Sequence, residues 1–222
     1  MRNRASVVVA ALLLAVVACS DDPGGDAAPS IGPGADSPQA AVQQLLTLLE
    51  SGDFPAAASL AMPDQAALAS LAEGTTVAEV ANALRDGDGV VAANFWSGFA
   101  QSISGVLDTG LTVTGATGVE VEGETFNVVD LETSTGGQRQ LVTREADGHR
   151  IDLFATFGPT LAGRLYSPVE RLLTSPVEDA VLVLAEMRKQ VPSLYMAAQA
   201  PDLTPGAIQE VLRLIELISR VS

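Results

Sequence analysis

An unbroken apolar run, Val7 to Val17, follows two arginines, and the chain then turns abruptly polar. From Ser20 to Ser37 it consists of Asp, Pro, Gly, Ala and Ser with one Ile. No apolar period is sustained there, so the segment is expected to be a tether rather than a core-facing element. A helical period begins directly after it. Val42, Leu45, Leu46 and Leu49 fall at i, i+3, i+4 and i+7 and make one apolar face. Ser37 offers an N-cap oxygen, Pro38 suits the first helical position, and Gly52 is placed to end the helix. Shorter helical pieces follow, punctuated by Pro55, Pro63 and Gly74. Thr76 and Glu79 have capping-box spacing ahead of Val80 and Leu84. Val91, Phe95, Phe99 and Ile103, spaced by four, predict a longer helix from Gly89 to about Ser104.

The period then changes to two. Leu111 and Val113 alternate with Thr112 and Thr114, and Val119 and Val121 with Glu120 and Glu122. Phe126 to Leu131 is a further strand segment. Gly136-Gly137 and Asp147-Gly148 supply hairpin punctuation, where residues must tolerate positive φ. These signals predict an antiparallel meander over roughly 110–157. Beyond it Pro159, Pro168, Pro176, Pro192 and Pro205 are expected to divide a helical final third. Its last helix shows a broad apolar face of Val211, Leu212, Ile215, Leu217 and Ile218.

The opening run is well short of the ~20 residues that cross a bilayer as a helix. With Arg2 and Arg4 ahead of it and small residues behind, it reads as a secretory signal. Val16-Val17-Ala18-Cys19 resembles the lipobox of bacterial lipoproteins. That resemblance implies cleavage between Ala18 and Cys19, a diacylglyceryl group with acyl chains such as palmitate on the Cys19 sulfur, and residence on the extracytoplasmic face of the cell membrane. Cys19 is the only cysteine, so no internal disulfide is expected. The formal charge is −15, and loss of residues 1–18, which carry two arginines and no acid, makes it more negative. Such a polyanion is not drawn to nucleic acid or anionic lipid. Lys189 is the sole lysine beside many arginines, and alanine is abundant, a bias that fits a GC-rich, for instance actinobacterial, genome.

Ser37-Pro-Gln-Ala-Ala-Val-Gln-Gln-Leu-Leu-Thr-Leu-Leu-Glu-Ser-Gly-Asp-Phe-Pro-Ala-Ala resembles the first helix of NTF2-like (cystatin-like, SnoaL-like) domains. Asp147-Gly-His-Arg-Ile-Asp-Leu-Phe-Ala resembles a late strand of exported members, with His149 and Arg150 where an aromatic is often found. The resemblance covers about 38–157. It implies an α+β fold in which N-terminal helices precede a curved antiparallel sheet wrapped round a cone-shaped cavity, with 158–222 as an additional helical segment packed on it. The expected organisation is therefore a signal peptide (1–18), a lipidated cysteine and tether (19–37), the α+β domain (38–157) and the helical extension (158–222).

Catalytic signatures are weak. His149 is the only histidine, which excludes a His-rich metal site. In a strand beginning near Gly148 it shares a face with Ile151 and Leu153, while Arg150 and Asp152 lie opposite as a solvated pair worth little energy. Asp86-Gly-Asp-Gly89 faintly resembles a calcium loop, but Val90 and Ser97 stand where its fifth and twelfth ligands belong. Ser97 has phenylalanines at 95 and 99 where a nucleophile elbow has glycines. No metal or cofactor is expected. Trp96, Phe99, Ile103, Phe126, Leu131, Leu153, Phe157 and Tyr166 are the residues that would line a cone cavity. The expected function is binding, either of an apolar small molecule or of another envelope protein, with a homodimer through the outer sheet face as a further arrangement. The alternative is a SnoaL-like or ketosteroid-isomerase-like enzyme with a carboxylate in the cone.

Overall fold

The computed structural model describes residues 34–87, 89–107 (backbone alone from 100), 110–175, 177–201 and 203–220. Ala18 and Cys19 lie outside the described residues, as does the side chain of Ile103. The fold is α+β, with N-terminal helices, a four-stranded antiparallel sheet that is not strongly curled, and then C-terminal helices.

Helix α1 (Pro38–Ser51) forms as its pattern requires. Ser37 Oγ accepts from the Ala40 N–H, and Gly52 closes the helix in the left-handed conformation. Its buried face is Ala41, Val42, Leu45, Leu46 and Leu49, each of the larger side chains contributing about 1.5–3 kcal/mol on burial. Two short helices, α2 (Phe54–Ser59) and α3 (Gln65–Ala69), and a 3-10 turn (Ser70–Glu73) lead to α4 (Val77–Asp86), which opens on the complete Thr76/Glu79 capping box. Helix α5 (Gly89–Leu107) ends the N-terminal set.

Strands β1 (Thr112–Val121), β2 (Glu124–Glu132), β3 (Gln138–Glu145) and β4 (His149–Ile151) pair in chain order as a meander. Glu122 and Gly123, both at positive φ, make the two-residue turn between β1 and β2. Alternation gives the sheet two apolar faces. Val129, Leu131, Leu141 and Ile151 join the main core, and α1 packs across all four strands. Val121, Phe126, Val128 and Val142 form a smaller cluster on the outer face.

The meander ends earlier than its apolar pattern suggests. Asp152 caps α6 (Leu153–Leu173) through the Ala155 N–H, so Leu153, Phe154 and Phe157 are helical, not strand, residues. The run Ile-Asp-Leu-Phe-Ala is compatible with either element, and the cap decides it. Helix α6 crosses position 157 and packs against α3, β3, α7 (Glu178–Arg188), α8 (Val191–Ala197) and α9 (Pro205–Ser219), which ties the N-terminal and C-terminal helices into one core. Pro159 and Pro168 lie inside it without ending it, whereas Pro192 and Pro205 stand in the first turns of α8 and α9. Phe99 of α5 meets Phe157 edge to face at 4.9 Å and stacks on Phe95 at 5.1 Å. On α9 the buried face is Val211, Leu214, Ile215, Leu217 and Ile218; Leu212 is exposed.

Residues 34–37, expected as the end of a tether, are docked on the folded domain; 19–33 lie outside the described residues. Gly34 N–H donates to Asp147 O, and Ala35 exchanges two backbone hydrogen bonds with His149, so residues 34–37 belong to the folded domain. This docking needs glycine on both sides. A Cβ at Gly34 or at Gly148 would sit 2.7 Å from the other's backbone, and Gly148 also holds φ +117.

Candidate functional site

A buried polar cluster stands where β4 gives way to α6. Asp152 is fully buried. Its Oδ1 accepts from Gln65 Nε2 at 3.1 Å and from the Ala155 N–H at 2.9 Å, and its Oδ2 accepts from Ser193 Oγ at 2.7 Å. Arg144 Nε lies 3.1 Å from Oδ2, an ion-pair distance, though its N–H is not aligned for a hydrogen bond. The same guanidinium sits over the Phe126 ring and reaches Glu124 at 3.7 Å. Gln65 completes the cluster, its Oε1 accepting from the Leu153 N–H at 2.6 Å and its Nε2 donating to Gln190 Oε1 at 2.7 Å. Four separate parts of the chain meet there: α3, β3, the α6 N-terminus and α8 with its N-cap.

Burial drives the Asp152 carboxyl above the ordinary carboxylate range, and Arg144, the Ala155 N–H, Ser193 and Gln65 pull it partway back. The paired-surface reading of Arg150 and Asp152 is corrected here. Arg150 is also fully buried, but it turns to Asp147, whose carboxylate it grips through Nε and Nη2, and to the Ser59 carbonyl. A buried charge stays only where it is paired, and the fold found each of these two a different partner.

The residues named for a cone cavity are dispersed. Trp96, Phe99, Leu131 and Leu153 are buried in the main core, Phe126 in the outer-face cluster, and Phe157 is partly buried against the main core. Tyr166 borders a groove of about 420 Å³ between α6 and α9, with Arg213, Glu216 and Arg220. Phe154 is enclosed in the main core, and the outer sheet face is partly covered by Ala155, Tyr195 and Met196.

Open space lies beside the sheet. A groove of about 380 Å³ runs between the outer face and α8, floored by Val119, Val128 and Val142 and walled by Ala155 and Met196. It shares Asp130, Gln140, Ala200 and Pro201 with a more polar groove of about 590 Å³ that continues past Glu132 and Arg139. A third, of about 470 Å³, lies on the other side of β1, between Leu111–Gly115 and the Gln43, Thr47 and Glu50 side of α1. Asp152 borders none of these.

Among the described residues no three His, Cys, Asp or Glu side chains gather as a metal site, and no helix is long and apolar enough to cross a membrane. Of the buried cluster, the sequence draws notice to Asp152 alone, and there as a solvated partner of Arg150. Its signal was an acid inside an apolar run; Gln65, at the head of an alanine-rich stretch, carried the same kind of signal more weakly. Ser193, Gln190 and Arg144 sit in ordinary polar contexts and had none. Comparison with known protein families, with curated proteins and with solved structures finds no match to this chain.

Proposed function

We propose that this protein is held by a lipid on Cys19 at the extracytoplasmic face of the cell membrane and works there by binding an apolar small molecule or another envelope protein, not by catalysis. The observation that carries the binding reading is Asp152. It is the only fully buried carboxylate among the described residues, and both its oxygens are taken up by the protein's own donors. An isomerase of the SnoaL kind needs the opposite arrangement, a desolvated acid facing an open cavity where a substrate proton can reach it. The open surface here is instead an apolar-floored groove over the sheet, of the kind that takes a partner or an apolar ligand. The order of helices and meander supports an NTF2-like relationship as part of this proposal, while the weak curl of the sheet and the helix beginning at Leu153 set it apart from a cone.

The anchor follows from simple magnitudes. Each buried methylene contributes about 0.8 kcal/mol, and one acyl chain holds a protein only marginally, so two or more on Cys19 retain it. Cys19→Ser is expected to release the mature-length chain to the soluble fraction or leave it uncleaved. Equal membrane retention of mature-length wild type and variant refutes the anchor. Native mass spectrometry of the detergent-solubilised lipoprotein tests the ligand: a co-purified apolar adduct supports it, and a clean apo mass leaves protein binding.

A further inference from the structure

The two edges of the sheet are treated differently by the fold. The β4 edge is closed on itself: Ala35 pairs with His149, Ile151 N–H donates to Leu60 O, and Met62 N–H donates to Ile151 O. Among the described residues the β1 edge has no such cover, and no backbone group outside β2 bonds to it. The turn at Glu122-Gly123 makes Val121 and Glu124 a hydrogen-bonded pair, and such pairs recur at every second residue. Val121, Val119 and Thr117 therefore turn their N–H and C=O toward β2. Ala116, Gly118 and Glu120 turn theirs outward. After one irregularity at Val113/Gly115 the register runs unbroken from Gly115 to Val121. Lysine and proline, the usual guards of such an edge, are absent from β1.

We propose that the β1 edge is a docking site for an extended, basic segment of a partner protein, which adds to the sheet as a fifth strand. The inference rests on the binding reading above and names the class of partner. An added strand would point alternate side chains to the two sides of the sheet. The outer groove borders Thr117 and Val119 on one side, and the groove against α1 borders Leu111–Gly115 on the other. Charge selects the occupant. Glu50, Glu120, Glu122, Glu124 and Glu132 stand exposed around the two ends of β1. A second copy of the chain, pairing antiparallel about the strand's centre, would bring the like-charged rims of two β1 edges together. A segment alternating apolar residues with Lys or Arg meets the same surface with opposite charge.

The probe is a nine-residue peptide alternating valine with lysine and threonine, titrated by fluorescence anisotropy against the detergent-solubilised full chain. Its glutamate-for-lysine counterpart is expected to bind at least tenfold more weakly, and raising the salt should weaken the basic peptide. The double variant Glu120→Lys/Glu122→Lys should reverse the preference. Methylating every second peptide nitrogen should abolish binding in one phase and spare it in the other, since only one row of N–H groups faces β1. Hydrogen exchange should show the Ala116, Gly118 and Glu120 amides newly protected, with Thr117 and Val119 unchanged. Binding that ignores methylation in both phases, or no protection at those three amides, overturns the proposal. So does concentration-dependent self-association that protects them, which would make the occupant a second copy. An apolar adduct in the native mass spectrum together with no peptide binding would sink this inference and leave the binding function standing.

Discussion

Replacing Gln65 by methionine isolates the energetics of the Asp152 cluster. Methionine fills nearly the same volume, so a cavity contributes little. What is lost is satisfaction of three buried groups. The Leu153 N–H and Gln190 Oε1 lose their partner at 2.6 and 2.7 Å, at about 1–3 kcal/mol for each group left unpaired. Asp152 loses one charge-assisted donor at 3.1 Å, worth about 1.5–3 kcal/mol. Because such terms are not additive within one network, the expected loss is about 3–6 kcal/mol, a large part of the roughly 5–15 kcal/mol that holds a domain together. The loss should depend on pH with a definite sign. Burial raises Asp152, so the native state keeps a proton that the unfolded chain has released. Stability from this group therefore grows as the pH falls from the native value of Asp152 toward the ordinary carboxylate value, and is level below that. The donor of Gln65 matters most to the ionised form, so Gln65→Met should cost less once the pH has fallen below the native value of Asp152 than above it. Urea unfolding across a pH series, with the m-value checked for constancy, measures this. A loss below about 1 kcal/mol at pH 7, or one that deepens on acidification, would show that the cluster does not bind the four segments together.

Two further substitutions probe the same frame. Asp152→Asn keeps an oxygen to cap the Ala155 N–H but removes the titration, so the variant's unfolding free energy should lose the component of wild type that increases on acidification; a variant with the full wild-type slope would assign that slope elsewhere. Gly148→Ala puts a Cβ 2.7 Å from Gly34 at φ +117, and about 1–3 kcal/mol of strain should appear as a lower Tm with faster amide exchange at Gly34 and Ala35, whereas unchanged exchange there would mean that the N-terminal segment is not held by this contact.

Local elements were legible because their signals act within a few residues. Ser37, Pro38 and Gly52 bound α1, and Thr76 with Glu79 starts α4, each through bonds that span one helical turn. Gly136 and Gly148 mark turns because their backbone angles disfavour a side chain. The failures share one cause. The strand drawn through Asp152 was an apolar run of ambiguous period, and the helix wins there because Asp152 caps it. By the sequence rule the prolines at 159 and 168 break a helix, yet both lie within α6, whose long buried face packs against several other elements. Ala35 looked like tether because its strand partner, His149, lies far along the chain.

By itself the sequence determined the lipidation motif at Cys19 as an expectation, the acidic charge, the division into helices and meander, and most of the caps and turns, since all of these are set by composition or by neighbours a few positions apart. Tertiary structure alone decided that Asp152 is a buried keystone and not a surface acid. Its partner Gln65 stands 87 positions away and Ser193 stands 41 away. Desolvation and pairing are properties of the space around a group, and only the packed chain defines that space. The uncovered β1 edge belongs to the same class: ten residues of ordinary strand become the proposed docking site only once the other edge is seen to be closed.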